Sequence, residues 1–137
     1  MNLLSKILVS FGSLVSIGFG VWHFFVPRAW KWYSYMDPKA TELVAAVRAL
    51  NVFFSLCLVL FGLMNLLFVF GKPNRFALIV LLAATCVLWI TRVVMQIVFP
   101  QGSINPALQY GMLSAFGVVL ACYSITLVLL VVQPMAG

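Results

Sequence analysis

The chain carries very little charge. Only 7% of its 137 residues are charged, whereas about a quarter of the residues in ordinary soluble domains are. The acidic residues are Asp37 and Glu42, and the single histidine is His23. This composition argues against a water-soluble globular domain. The 65% of hydrophobic residues indicates instead a protein that lies within a membrane.

Sequence motifs for common catalytic machinery are also absent. The chain has no G-x-S-x-G, no H-E-x-x-H and no phosphate-binding loop, and no pair of carboxylates falls within an apolar segment. A self-contained hydrolase is therefore not expected, and the enzyme class stays open.

Cysteine is too sparse for a disulfide framework. Cys57, Cys86 and Cys122 each lie near the middle of a different apolar segment, and no C-x-x-C pair occurs. Three thiolates could hold a soft metal such as Cu(I). Cysteine is also a small residue that packs well in apolar surroundings, so we expect packing and no metal site.

Four long apolar segments make up almost the whole chain. Each exceeds the roughly 20 residues that a helix needs to cross the hydrocarbon core. The first segment is too long for a signal peptide and lacks a small-residue cleavage site. We predict one all-α domain over residues 1–137, an up-down-up-down bundle of four transmembrane helices at about 5–26, 38–70, 75–99 and 106–132.

Turn-forming residues mark the ends of the predicted helices. Asp37 and Asn105 each precede a proline, as an N-cap residue does, and Asn74 is placed to cap the third helix. Pro27 and Pro100 are expected to stop the first and third helices. The turn at 71–74 makes helices 2 and 3 antiparallel neighbours, and the aromatic and basic stretch 28–36 is typical of the membrane interface.

The net charge of +6 comes from residues near the segment ends. There they would meet phospholipid phosphates, so membrane lipids and not nucleic acids are the expected partners. The cations divide evenly between the side of the termini (Lys6, Lys72, Arg75) and the other side (Arg28, Lys31, Lys39). The uncharged loop 100–105 favours cytoplasmic termini in a bacterial inner membrane.

Small and polar residues recur at spacings of three and four in every segment, which places them on one helix face. We predict that these faces form the interior of a left-handed bundle. They comprise Gly12, Ser16, Phe19 and His23; Arg48, Asn51, Ser55, Leu58, Gly62 and Asn65; Thr85, Trp89, Arg92 and Gln96; and Tyr110, Ser114, Gly117, Ala121 and Ser124.

The topology brings the polar ends of these faces to the same side of the membrane. Arg48 and Arg92 would lie about 7 to 10 Å inside their helix ends, at 1.5 Å per residue. Charges at that depth usually face the bundle interior and have a function. Glu42 could neutralise one arginine but not both, so a ligand with an anionic or carbonyl oxygen is expected.

The predicted ligand is amphipathic, either a quinone or an anionic lipid. The predicted binding residues are His23, Arg48, Asn51, Trp89, Arg92, Gln96 and Tyr110, flanked by Trp22 and Trp89. His23 is also a candidate for proton transfer to or from a quinol. Simpler interpretations are that either arginine extends to lipid phosphates and that the amides only join helices.

Other functions remain open at this level. His23 with Met95 or Met112 could provide axial ligands for a haem. A small channel or transporter would need a polar route through both leaflets, for which the other half of the bundle offers no charge. A ligand-free assembly factor, acting within a membrane-protein complex or as a homo-oligomer, would use the same fold.

Length, four spans and the stretch H-F-F-V-P that closes the first helix resemble the DoxX-like group of small four-helix bacterial membrane proteins. The resemblance rests on His23, Phe24 and Pro27. It implies association with membrane redox complexes, including quinone-linked sulfur oxidation, or an accessory or chaperone-like role. The ligand-binding protein would then be an accessory or redox-associated membrane subunit. Such proteins often have an acidic residue in the second helix, where this chain has Arg48 and Asn51.

Overall fold

The computed structural model of the chain describes residues 1–71 and 73–132. It confirms an all-α four-helix bundle, with α1 at Leu3–Ala29, α2 at Thr41–Phe70, α3 at Arg75–Val98 and α4 at Pro106–Val132. A short 3₁₀ helix at Trp32–Tyr35 lies between α1 and α2. Each of the four α-helices is long and apolar enough to cross a membrane. The fold is therefore that of a multi-pass membrane protein.

The helices do not pack evenly. Helix α1 contacts both α2 and α4, and α3 contacts α4, whereas α2 and α3 meet over a much smaller surface. One hydrogen bond joins α2 and α3 in the half nearer their connecting turn, where Asn65 Nδ2 donates to Thr85 Oγ1 at 2.8 Å. Toward the opposite membrane side, a cavity separates these two helices.

Two glycines bring α1 and α2 into close contact. A Cβ atom at Gly20 would lie 2.9 Å from the carbonyl oxygen of Ser55, and one at Gly62 would lie 3.0 Å from that of Ser13. Any larger residue at either position would force the backbones of α1 and α2 apart. Small residues allow this approach in membranes, where dispersion and hydrogen bonding, not water exclusion, hold helices together.

A buried tyrosine joins α4 to α1. The Tyr123 hydroxyl lies 3.1 Å from Ser13 Oγ and 3.3 Å from Ser16 Oγ, and the side chain is completely buried. Its ring passes over Gly12, where an added Cβ would lie 3.2 Å from a ring carbon. The small residues of α1 thus make room for an aromatic ring as well as for another helix.

The predicted interior faces of α1 and α3 are confirmed, and that of α2 is confirmed from Asn51 onward. The prediction for α4 is wrong at four of its five positions, because Tyr110, Ser114, Gly117 and Ala121 are exposed. The fifth, Ser124, is half-buried and contacts Cys86 of α3. The buried face of α4 instead carries larger residues, namely Phe116, Val119, Cys122, Tyr123, Thr126 and Leu130. Because α4 is apolar all round, its hydrophobicity does not distinguish the protein-facing side from the lipid-facing side.

Most predicted helix boundaries agree with the structure. Asn74 Oδ1 accepts from the Phe76 N–H at 2.8 Å, and Asn105 Oδ1 accepts from the Ala107 N–H at 3.1 Å, so both residues cap helices. Helix α3 ends before Pro100, as predicted.

Two boundary predictions are wrong. Asp37 does not cap α2: it accepts from the Lys39 N–H within a separate turn, and α2 begins at Thr41. Pro27 does not stop α1, which continues to Ala29. Lys72, part of the predicted turn and of the charge comparison, lies outside the described residues.

At the other membrane side, Arg75 binds the end of α4. Its Nη2 donates to the carbonyl oxygen of Leu130 at 2.6 Å. The last carbonyls of a helix lack backbone partners and carry partial negative charge. The first residue of α3 thus stabilises the last turn of α4.

Candidate functional site

The site begins with the proline inside α1. Because Pro27 has no N–H, it cannot bond to the carbonyl of His23 one turn earlier. Asn51 of α2 replaces that donor, since its Nδ2 donates to His23 O at 3.2 Å. In a membrane, a carbonyl left by proline needs such a partner from a neighbouring helix. Asn51 therefore stabilises α1 at the proline and fixes α2 beside His23.

The His23 side chain lies in an aromatic enclosure. It is only 7% exposed, and ring centres lie 4.7 Å away for Phe54, 5.6 Å for Phe19 and 6.2 Å for Trp32. Among residues 1–71 and 73–132, neither His23 Nδ1 nor Asn51 Oδ1 makes a hydrogen bond of good geometry, although the two side chains lie close enough to interact. Two polar atoms with unused hydrogen-bonding capacity thus lie in the same buried region.

Arg92 supplies the charge of the site. It is 8% exposed, and its Nη2 donates to Gln101 Oε1 at 2.8 Å. Its guanidinium carbon lies 4.4 Å from the ring centre of Phe116 and 5.9 Å from that of Phe19. These partners are all neutral. Cation–π contacts offset part of the desolvation of a buried cation, at about 2 kcal/mol for a desolvated pair.

The loop residue Gln101 completes this arrangement. Besides accepting from Arg92, it accepts at its backbone carbonyl from Gln96 Nε2, at 2.9 Å. Gln96 is 1% exposed, and its Oε1 has no partner in the described part of the chain. Two side chains of α3 therefore hold the loop 100–105 over the end of the bundle.

A cavity of about 480 Å³ lies between α2 and α3. Its walls are mostly apolar, with Phe54 and Leu58 from α2 and Leu88 from α3, while His23, Asn51, Arg92 and Gln101 line its polar end. Leu50 and Met95, at 69% and 47% exposed, border it on the outer surface. We name it the α2–α3 lobe, and its outer border faces the lipid.

A second cavity, of about 400 Å³, lies between α1 and α4. Phe19 and Trp22 of α1 and Leu108 and Met112 of α4 line it, together with Trp30. We name it the α1–α4 lobe. His23, Trp32 and Gln101 line both lobes and therefore form the partition between them.

Three of the predicted binding residues lie elsewhere. Arg48 is exposed and lies over the ring of Tyr33, 5.2 Å from its centre, beside a separate surface cavity of about 350 Å³. Tyr110 is 64% exposed on the outer face of α4. Trp89 is buried but lines neither lobe, because it packs in the core against Phe116, with ring centres 5.7 Å apart.

The structure thus brings together His23, Asn51, Arg92 and Gln96 from the predicted set and adds three residues that the sequence did not single out, Trp32, Gln101 and Phe116. Helix spacing identified the first four. Gln101 lies in a loop, where no periodicity marks an inward-facing residue. A polar amide close after Arg92 and Gln96 was the one available signal.

Sulfur-containing residues are dispersed over the bundle. Cys57 is exposed, while Cys86 and Cys122 are buried. Within the described part of the chain, no group of three or more His, Cys, Asp or Glu is arranged to hold a metal ion. Met95 lines the α2–α3 lobe and Met112 lines the α1–α4 lobe, so each of the two cavities that His23 borders contains one methionine.

Comparison of the chain with protein-family models, with curated proteins and with solved structures finds no match in any of the three.

Proposed function

We propose that this protein is a membrane-embedded binding protein for an amphipathic ligand, a quinone or an anionic lipid, whose oxygen-bearing head lies against Arg92. The observation that carries the proposal is a buried arginine with neutral partners at the polar end of a cavity that borders on lipid. Burying a guanidinium without a counter-charge is costly. An acceptor oxygen from a ligand reduces that cost.

The hydrogen-bonding groups support a ligand with oxygen functions. A guanidinium has five N–H donors, and one contact with Gln101 leaves most of them for a ligand. Asn51 Oδ1 is an unused acceptor, and His23 Nδ1 donates or accepts depending on its protonation. A carbonyl or phosphate oxygen suits Arg92, and a hydroxyl suits Asn51.

Access from the membrane follows from the uneven packing of the helices. The α2–α3 lobe lies where these helices are in least contact, and its apolar walls are suited to a hydrocarbon chain. A ligand that is dissolved in lipid would enter sideways without crossing water. The head would then meet Arg92 near the membrane interface, while the chain stays among apolar side chains.

The cellular setting belongs to the same proposal. We place both termini in the cytoplasm of a bacterium and the protein in its inner membrane, so that the site opens toward the opposite side. The role of an accessory or redox-associated subunit comes from the resemblance to DoxX-like proteins. Labelling of single cysteines introduced at Ser103 and at Asn74 tests the orientation, since an impermeant reagent applied from outside should label Ser103→Cys only.

Ligand titration tests the binding function. Trp22, Trp30 and Trp32 line the lobes, so the intrinsic tryptophan fluorescence of the protein reports on their occupancy. Arg92→Gln removes the buried charge, and Arg48→Gln is the matched control, because it removes an equal charge from outside the site. A charge-assisted hydrogen bond contributes about 1.5 to 3 kcal/mol, so we expect Arg92→Gln to weaken binding of a short-chain quinone or phosphatidylglycerol about tenfold or more.

Two results would contradict the proposal. One is equal binding of both probes by the wild type and Arg92→Gln, and the other is an equal loss in Arg48→Gln. If neither probe binds and Arg92→Gln changes thermal stability alone, the ligand-free assembly factor becomes the better interpretation.

A further inference from the structure

The two lobes meet at one polar partition and open on opposite sides of the bundle. Since α1 contacts α2 and α4, and α3 contacts α4, the gap between α2 and α3 lies across the bundle from the gap between α1 and α4. His23, Trp32 and Gln101 line both cavities. The site is therefore branched, with one polar centre and two apolar lobes.

We propose that the ligand is an anionic lipid with two hydrocarbon chains, with its phosphate on Arg92 and Gln101 and one chain in each lobe. This inference rests on the proposed function and narrows it from a quinone or an anionic lipid to a single class. Three observations support it: the charge of Arg92, the two lobes, and the unpartnered nitrogen of His23 at their junction.

The charge favours a phosphate over a quinone carbonyl. The described partners of Arg92 are neutral, and the two acids of the chain, Asp37 and Glu42, are exposed. Arginine binds phosphate through two parallel charge-assisted hydrogen bonds. Its guanidinium also reaches Gln101, which lies in the loop beyond α3, so the charge is directed toward the level of lipid phosphates.

The two lobes favour two chains. Their volumes, about 480 and 400 Å³, are similar, and each falls within the range of a ligand pocket, about 300 to 1,000 Å³. Leu58 and Leu88 line the α2–α3 lobe, and Leu108 and Met112 line the α1–α4 lobe. A quinone carries one chain and would occupy one lobe.

His23 lies where the chains of such a lipid would separate. The side chain is 7% exposed, lines both lobes, and has an Nδ1 without a partner among the described residues. In a diacyl lipid the chains separate at a glycerol unit with two ester carbonyls. A protonated Nδ1 would donate a hydrogen bond to one of those carbonyl oxygens.

Tryptophan substitutions that fill one lobe at a time test this branched mode of lipid binding. Thr91→Trp fills the α2–α3 lobe and Leu108→Trp the α1–α4 lobe. Leu50→Trp fills the first lobe from the opposite helix, should Thr91→Trp fail to fold. Val94→Trp and Val118→Trp are matched controls on α3 and α4, since these positions are 49% and 50% exposed and are not among the residues that line either lobe.

Native mass spectrometry of the detergent-solubilised full chain then measures affinity for four probes: dioleoyl phosphatidylglycerol, its single-chain lyso form, dioleoyl phosphatidylcholine, and a benzoquinone with a decyl chain. We expect that filling either lobe weakens the binding of the two-chain anionic lipid about tenfold or more, because a displaced chain also withdraws the phosphate from Arg92. Binding of the lyso form should be weakened when one of the two lobes is filled and unchanged when the other is filled. The zwitterionic lipid should bind less tightly than the anionic one, and the controls should match the wild type.

The branched mode is overturned if the two-chain anionic lipid responds to one filled lobe or to neither, or if the quinone binds more tightly than this lipid. In those cases the proposed function still stands, provided that Arg92→Gln weakens whichever probe binds. If none of the four probes binds in a manner that depends on Arg92, both proposals are wrong.

Discussion

The hydrogen bond between Asn51 and the carbonyl of His23 gives a prediction that depends on Pro27. Asn51 matters for stability because proline removed the helical donor to that carbonyl. Pro27→Ala restores an N–H at the position from which a helix normally donates to His23 O. Once that N–H is present, replacing Asn51 by leucine should cost less. The two substitutions are therefore coupled.

The size of the coupling follows from the geometry. Hydrogen bonds between helices in membranes contribute about 0.6 kcal/mol on average and about 2 kcal/mol at most. The 3.2 Å separation of Asn51 Nδ2 and His23 O is long for a strong bond, so we expect a coupling no larger than the average, about 0.6 kcal/mol. Asn51→Leu should destabilise the wild type by that amount more than it destabilises Pro27→Ala.

A double-mutant cycle measured by unfolding in mixed detergent micelles, without ligand, isolates this term. Asn65→Leu serves as the control, because the described partners of Asn65 Nδ2 are Phe61 O and Thr85 Oγ1, away from the proline. Its effect should be the same in both backgrounds. If the effects of Asn51→Leu and Pro27→Ala add within about 0.3 kcal/mol, Asn51 does not replace the donor that proline removed.

The remaining predictions concern packing and are checked by the same unfolding assay. Gly20→Ala and Gly62→Ala should each destabilise the protein by about 1 to 3 kcal/mol, since the added methyl meets a backbone carbonyl. Gly18→Ala should be neutral or stabilising, because no described atom lies within 4 Å of its Cβ position. Equal effects at the three sites would disprove the close approach. Tyr123→Phe should cost about 1 kcal/mol, because Ser13 Oγ loses the buried hydroxyl beside it, while Ser16 Oγ still donates to Gly12 O. Tyr110→Phe on the outer face should change nothing measurable.

Much of the fold is predictable from the sequence because four long apolar segments leave few alternatives to four membrane-spanning helices. Each helix exceeds the length of a membrane span, and asparagines mark the starts of α3 and α4. In α1 and α3 the small or polar residues at spacings of three and four do face the bundle. Gly12 and Ser16 are small enough for close packing, and Arg92 and Gln96 are too polar to face hydrocarbon.

The prediction for α4 failed because small residues do not always face protein and large residues do not always face lipid. Gly117 and Ala121 are small but lie on the outer surface, while Phe116 and Tyr123 are large and buried. Tyr123 packs over the small residues of α1, which make room for its ring. Phe116 packs instead against the rings of Phe19 and Trp89. Only knowledge of the neighbouring helix identifies such a pairing.

The candidate site was predicted in part for a related reason. Arg48 has the spacing of an interior residue, but it lies near the start of α2, where Tyr33 offers a ring on the outside. Gln101 lies in a loop whose path is set by tertiary contacts with Arg92 and Gln96. Helical periodicity carries no information about either arrangement.

If Arg92 holds an amphipathic ligand, that ligand should stay with the protein when it is purified. Native mass spectrometry of protein released gently from its own membrane measures the masses of the molecules that remain bound. We expect a bound amphiphile on the wild type and on Arg48→Gln, and its loss from folded Arg92→Gln. Bound masses that are the same in all three proteins, or no bound molecule on the wild type, would contradict this expectation.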